Sequence, residues 1–282
     1  MKYLITGKKG QLAQAFIHRF DASSIDYVAP EESQLDITDE KAVAHAVGFY
    51  KPDVILNCAA YNFVDKAELE KDTAFQVNAV GPRNLARAAQ QFHARLVHFG
   101  SDYVFDGKKE SGLYQEQDIP NPINTYGKTK LAGEEVVSQE LDHCLIFRLS
   151  WVFGAGKQNF IHKFLEWTQK NSFVRIACDE FSAPTYTETV VDATLKAVET
   201  GLSGRYHLTN TGYCSRYEWA RLITKILGIT TFIRPVANEV FNLPAPRPKF
   251  SAMSNEQASK QLCMTIPDWE ESVRSFLTQK VL

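Results

Sequence analysis

Short, unbroken apolar runs alternate with segments of helical period along the first half of the chain. Residues 2–6, 25–29, 54–56, 96–99 and 144–147 read as strands. Between them Leu12, Phe16 and Phe20 recur every four residues, which places them on one helical face. Val43, Val47 and Tyr50 share a side of a second segment, for which Thr38 is the expected cap. Further helices are expected over residues 72–92 and 125–139. Strands that are apolar at every position suit a sheet covered on both faces. Their alternation with helices implies βαβ units. The expected fold class is therefore α/β, a Rossmann-type doubly wound parallel sheet with a smaller C-terminal lobe. Pro244, Pro246 and Pro248 mark residues 237–254 as irregular. A last amphipathic helix is expected from Pro267, with Trp269, Val273, Phe276 and Leu277 on one face.

Composition narrows the function classes. A chain of 282 residues can bury a full core without metals or disulfides. With 31 basic and 33 acidic residues its formal charge is −2. Nucleic-acid binders usually carry a large basic excess, so no nucleic-acid partner is expected. No apolar run approaches the length of a membrane span, and the first strand is too brief for a signal peptide. The five cysteines are odd in number, widely spaced and without a CxxC pair. Disulfides and bound metal are therefore not expected, and the cytoplasm is the natural compartment. Cys58 and Cys144 lie in apolar runs, where a reduced thiol behaves as a small hydrophobe.

Two constellations carry chemistry. The first is Gly7-x-x-Gly10-x-x-Ala13, directly after the first strand and before a helix. Glycines there allow a tight turn, and the helix N-terminus favours a pyrophosphate. The spacing is looser than GxGxxG, and an ordinary glycine turn is the bland alternative. Glu31 or Glu32, after the second strand, could accept from ribose hydroxyls and repel a 2′-phosphate. Lys8 and Lys9 argue the other way, so NADH and NADPH both stay open. The second constellation is Tyr126-x-x-x-Lys130, at an i, i+4 spacing on one helical face. A nearby ammonium is expected to lower the phenol pKa and tune it for proton transfer. Gly100-Ser101 follows the fourth strand, where α/β folds bind ligands. A lone Tyr-x-x-x-Lys arises by chance, so its weight comes from standing behind this turn and serine.

Finer wording carries a resemblance. Gly10-Gln11-Leu12, Leu35-Asp36-Ile37-Thr38, Asn57-Cys58-Ala59-Ala60-Tyr61 and Val64-Asp65-Lys66-Ala67-Glu68 are part of it. Asn78-Ala79-Val80-Gly81-Pro82, Ser101-Asp102-Tyr103-Val104-Phe105-Asp106-Gly107 and the run from Tyr126 to Glu134 continue it. So do Arg148-Leu149-Ser150-Trp151-Val152-Phe153-Gly154 and Arg247-Pro248. Together they resemble the dTDP-4-dehydrorhamnose reductase family, within the extended short-chain dehydrogenase/reductases. The departures are Ala13 where Gly is common, Lys8 and Lys9 between the glycines, Gly100 where Ser is common, and Ser101 where Thr is common.

The resemblance implies an oxidoreductase that uses NADPH or NADH to reduce a 4-keto dTDP-sugar in nucleotide-sugar and polysaccharide biosynthesis. It implies Ser101, Tyr126 and Lys130 as the catalytic group. Gly10, Gln11 and Leu12 would hold the pyrophosphate; from the reading of the turn and second strand, Gly7 joins them and Glu31 is the candidate for the ribose. Asp36 and Ile37 would lie against the adenine, and Ala59, Ala60 and Tyr61 would line the cofactor beside Tyr126 and Lys130. Ser101, Asp102, Tyr126 and Trp151 would touch the sugar. Arg247 is a candidate for the substrate diphosphate, because a guanidinium matches phosphate oxygens. Phe181, Pro184 and Tyr186 are candidates for shaping the substrate lobe. Residues 1–154 are expected to form the NAD(P)-binding domain with the Tyr/Lys helix. Residues 155–282 would supply mainly the substrate lobe, with some segments returning to the first domain. The oligomer is expected to be a monomer or homodimer. Two other readings share these motifs: another nucleotide-sugar epimerase or reductase, and the non-enzymatic regulatory subunit of methionine adenosyltransferase.

Overall fold

A computed structural model describes residues 1–280. Its centre is a six-stranded sheet whose pairings are all parallel. Strands β1 (Tyr3–Thr6), β2 (Tyr27–Val28), β3 (Val54–Asn57), β4 (Arg95–Ser101) and β5 (Leu145–Leu149) appear in chain order. In space the order is β2-β1-β3-β4-β5, followed by the strand Gly204–His207 beside β5. The chain leaves β1 for β2 on one side and returns to β3 on the other. That reversal opens a crevice beyond the carboxyl ends of β1 and β3, the usual ligand position in such sheets. β1, β3 and β5 are buried at every residue, as expected of a sheet covered on both faces.

Two cores fill the layers. On one face the helices Gln11–Ser23, Thr187–Thr200 and Glu256–Leu262 contribute Phe16, Phe20, Val191 and Leu262 against Ile5, Leu56 and Phe147. On the other, the helices Glu40–Tyr50, Gly81–Phe92 and Thr125–Glu140 contribute Val43, Leu85 and Val137 against Leu4, Ile55 and Ile146. A third core holds the lobe built around the parallel pair Phe173–Ala177 and Phe232–Val236. There Trp219, Ile223 and Phe164 meet Trp269, Val273, Phe276 and Leu277.

Several local expectations need correction. The second strand is only two residues long and half-buried, because it is the sheet edge. Asp39, not Thr38, caps the next helix; its carboxylate accepts from Lys41 N and Ala42 N. Thr38 instead donates to Asp36. The expected helix over 72–92 is broken into Lys71–Phe75, a π turn Gln76–Val80, and Gly81–Phe92. Pro82 has no N–H for the carbonyl four residues back, so the regular ladder cannot run through. The last helix starts at Trp269, while the Pro267 carbonyl accepts from Thr211 N. All five cysteines are free, with Cys144 buried and Cys58 half-buried. Among the described residues, no helix is long and apolar enough to cross a membrane.

Gly7 closes β1 with φ +68°, and a Cβ there would lie 2.7 Å from the Ala59 backbone. A left-handed Cβ alone costs roughly 1–2 kcal/mol, and the backbone contact adds to it. Gly7→Ala is therefore expected to lower unfolding free energy by at least about 1 kcal/mol in a urea titration.

Candidate active site

The glycine turn presents backbone rather than side chains. Gly10 N donates to Gly7 O at 2.8 Å, closing the turn. Gly10 then heads the helix Gln11–Ser23 with no side-chain cap and no acidic residue in the first turn. Its first N–H groups are left to meet an anion, so the turn fits a pyrophosphate. Gln11 uses its amide elsewhere: Nε2 donates to Val152 O at 2.9 Å, and Oε1 accepts from Asn159 Nδ2 at 3.3 Å. This ties the turn to the segment after β5. Leu12 packs against the sheet core.

The opposed cofactor signals meet in space. Lys8 and Lys9 lie 3.5 and 3.1 Å from the Glu31 carboxylate. Lys9 first, and then Lys8, hold that carboxyl below its usual range. Asp36 accepts from Thr38 N and Oγ1, and the Ile37 side chain is buried in the core beside Gly81. Ala59 and Ala60 are half-buried at the end of β3, with Ala59 N donating to Thr6 Oγ1. Tyr61 is fixed through its backbone: its N–H donates to Asn78 Oδ1 at 2.8 Å, and Asn78 Nδ2 donates to Tyr61 O. Asn78 also donates to Thr129 on the Tyr/Lys helix, so one buried amide links both walls.

Ser101 ends β4, and the helix Thr125–Glu140 brings Tyr126 and Lys130 over it. The start of that helix is held three ways. Asn124 Oδ1 accepts from Gly127 N at 2.7 Å, while Asn124 Nδ2 donates to Pro246 O. Glu68 accepts from Thr125 N and Oγ1 at 2.7 and 2.8 Å. The Tyr126 hydroxyl lies 3.5 Å from Asn62 Oδ1.

Lys130 does not do what the spacing predicts. Its buried amino group donates to Phe99 O at 2.6 Å. Burial raises the Tyr126 phenol to about 12, with Ser101 opposing the rise and Asp102 adding to it. Burial lowers Lys130 to about 8, with Glu134 opposing. The expected lowering of the phenol is absent here: burial dominates it, and the lysine amino group is directed to a strand carbonyl.

Asp102 is a buried hub. Oδ1 accepts from Ser101 Oγ at 3.3 Å, and Oδ2 accepts from Ser182 and Ser251 at 2.9 and 2.6 Å. Burial pushes it up to about 6 against those three hydroxyls. Trp151 has φ +39°, stacks near Trp219, and carries the Arg216 guanidinium 3.6 Å from its ring centroid. Arg247 forms a bidentate pair with Asp65, both contacts at 2.6 Å. Phe181 exchanges backbone bonds with Lys249 and Ser251, Pro184 is buried, and Tyr186 stacks on Phe153.

The structure thus gathers Ser101, Asp102, Tyr126 and Lys130, and sets the glycine turn near Ala59 and Trp151's neighbour Val152. Glu31 and Arg247 are engaged by other side chains. Asn62, Glu68, Asn78, Ser182, Arg216 and Ser251 were not singled out from the sequence for these roles. Asn78 and Glu68 stand inside motifs that carry the resemblance; the others have no local signal.

Comparison with known proteins agrees in scope with this geometry. The RmlD substrate binding domain profile matches residues 1–281. The spore coat polysaccharide biosynthesis protein SpsK of Bacillus subtilis is 33% identical over 279 residues, 99% of this chain and 98% of that protein. A dTDP-4-dehydrorhamnose reductase from Clostridium acetobutylicum superposes with a TM-score of 0.96 at 34% identity, covering 100% of both chains. The Bacillus anthracis dTDP-4-dehydrorhamnose reductase, solved in complex with NADP, gives 0.94 at 34% identity, covering 99% of both chains. The chain belongs to the RmlD substrate binding domain family, that of the dTDP-4-dehydrorhamnose reductases.

Proposed function

We propose that this chain is an NADPH- or NADH-dependent oxidoreductase that reduces the 4-keto group of dTDP-4-dehydro-β-L-rhamnose to give dTDP-L-rhamnose. One observation carries the reading. Ser101, Tyr126 and Lys130 converge at the carboxyl end of β4, beside an uncapped helix N-terminus at the reversal of strand order. The full-length similarity to the two reductases supports it. A regulatory, non-enzymatic role has no such support among the relatives described above.

The reduced nicotinamide supplies a hydride when bound. The residues around it handle the charge that hydride transfer creates. Tyr126 holds its proton firmly and donates it to the C4 oxygen as negative charge builds there. Ser101 donates a second hydrogen bond to that oxygen. Lys130, freed from Phe99 O, would hold the nicotinamide ribose. Gly7, Gly10 and the first N–H groups of the following helix would hold the pyrophosphate, with Asp36, Ile37, Ala59, Ala60 and Tyr61 along the nucleoside. Residues 1–154 carry most of this site and residues 155–282 most of the sugar side, with the strand Gly204–His207 returning to the sheet. The cytoplasm and a monomer or homodimer complete the proposal.

The test is direct. The protein is mixed with the 4-keto sugar nucleotide and either NADH or NADPH, and cofactor oxidation is followed together with product identity. Turnover to dTDP-L-rhamnose is expected; no oxidation of either cofactor sinks the proposal. Glu31→Gln frees Lys8 and Lys9 and removes a carboxylate that repels a 2′-phosphate. The ratio of kcat/KM for NADPH over NADH is expected to rise several-fold, and an unchanged ratio would remove Glu31 from the cofactor site.

A further inference from the structure

We infer that Arg216 and Glu180 form a substrate-binding pair, Arg216 taking the diphosphate of the nucleotide sugar and Glu180 a hydroxyl of its sugar. The inference rests on the reaction proposed above and adds two residues to it. Their juxtaposition comes from strand register. The strands Phe181–Ser182 and Cys214–Ser215 pair antiparallel, with Ser215 opposite Phe181 and Cys214 opposite Ser182. Glu180 and Arg216 flank the Phe181–Ser215 pair, Arg216 as the first residue of the helix Arg216–Leu227. Side chains two apart on a strand share a face. Glu180 stands two residues before Ser182, which donates to Asp102, and its carboxyl has Arg216 and Asp102 among its charged neighbours.

Both groups are short of partners. Glu180 is 8% exposed, and its buried Oε1 has no hydrogen-bond partner. Arg216 makes no hydrogen bond or ion pair among the described residues, although Tyr103, Glu180 and Asp102 are its charged or ionisable neighbours. Its position is nonetheless fixed. The guanidinium lies over Trp151, with Phe160 and Trp219 at 5.3 and 5.6 Å. Arg216 also opens a helix locked by a capping box between Ser215 and Glu218. A desolvated guanidinium ordinarily finds a planar anionic partner, and a buried carboxyl oxygen ordinarily finds a donor.

A sugar nucleotide supplies both. When C4 of the sugar sits at Tyr126 and Ser101, C1 and its diphosphate lie across one pyranose ring. Arg216, fixed over Trp151 with Asp102 and Tyr103 among its neighbours, is the cation assigned to that diphosphate. Glu180, whose Oε1 is unpartnered and whose charged neighbours include Arg216 and Asp102, is assigned a hydroxyl of the sugar. Arg247 adds its field to Glu180 while remaining paired with Asp65.

dTDP as a competitive inhibitor reads the diphosphate separately from the sugar. A charge-assisted hydrogen bond lost on Arg216→Met is expected to weaken dTDP inhibition about tenfold or more, with NADPH affinity unchanged. Arg216→Lys, which keeps charge and bulk, should fall between. Glu180→Gln should raise KM for the 4-keto sugar nucleotide several-fold while the dTDP inhibition constant stays within about twofold. Unchanged dTDP inhibition in Arg216→Met overturns the diphosphate assignment. Equal weakening of dTDP and sugar nucleotide in Glu180→Gln overturns the hydroxyl assignment. Wild-type protein that binds dTDP without turning over the sugar nucleotide refutes the reaction but not the pair; protein that does not bind dTDP refutes the pair.

Discussion

Tyr126→Phe is expected to lower kcat by roughly two decades or more, in the range of lost general acid catalysis, while cofactor affinity stays within twofold. The substitution removes one oxygen from a half-buried ring that packs edge-on against Tyr103. Packing and the fold should therefore survive. What disappears is the proton donor to the C4 oxygen. The raised phenol pKa of about 12 suits that role, because the hydroxyl stays protonated across the neutral range. The alkaline limit of the wild-type kcat/KM profile should then come from Lys130, whose pKa is about 8 in the free protein. Ser101→Ala is the companion case. Loss of one donor to a developing oxyanion typically costs ~3 kcal/mol, so kcat should fall on the order of a hundredfold. Stopped-flow measurement of hydride transfer, beside a fluorescence titration of NADPH, separates chemistry from binding. A Tyr126→Phe protein with wild-type kcat would end the assignment.

Much of this site was legible because its parts are local. Tyr126 and Lys130 need only helical spacing, and Gly7 to Gly10 need only a turn between a strand and a helix. The sheet was legible for a similar reason: β1, β3 and β5 are buried at each residue and mostly apolar, Thr6, Asn57 and Arg148 excepted, because helices cover both faces. The edges were less legible. β2, expected over residues 25–29, is two half-buried residues, and the strand Gly204–His207 reads as Gly-Arg-Tyr-His, without a continuous apolar signal, and was not expected. The break at Gln76–Val80 also escaped, since apolar periodicity continues through a π turn. The contacts that orient the site are long-range. Asp102 is met by Ser182 and Ser251, and Tyr61 by Asn78, across separations that no local pattern encodes. Arg216 becomes visible only when two distant strands are paired in register. The direction of the Tyr126 pKa is likewise not local: spacing places Lys130 on the right face, but burial raises the phenol and the lysine donates to a carbonyl of another element.

The largest stability effect is expected at Glu134, one turn beyond Lys130. Glu134 and Arg148 are each 0% exposed and meet through Nε and Nη2 at 2.8–3.2 Å. Gly100 makes room for them: a Cβ there would collide with Glu134 Oε1. In this chain a side chain at position 100 would have to displace the Glu134 carboxylate. Glu134→Gln keeps the volume and leaves the guanidinium buried without its counter-charge, which costs about 3–5 kcal/mol for pairs of this kind. Denaturant unfolding should register most of that loss. A second effect follows from the same charge. The Glu134 carboxylate opposes the burial that lowers Lys130. Without it, Lys130 should lose its proton below pH 8, and the alkaline limb of kcat/KM should move toward neutrality. The double variant Glu134→Gln/Arg148→Met removes the stranded cation and should recover stability without restoring the pH limb. Recovery of both together would show that the pH shift came from loosened packing and not from the missing charge beside Lys130.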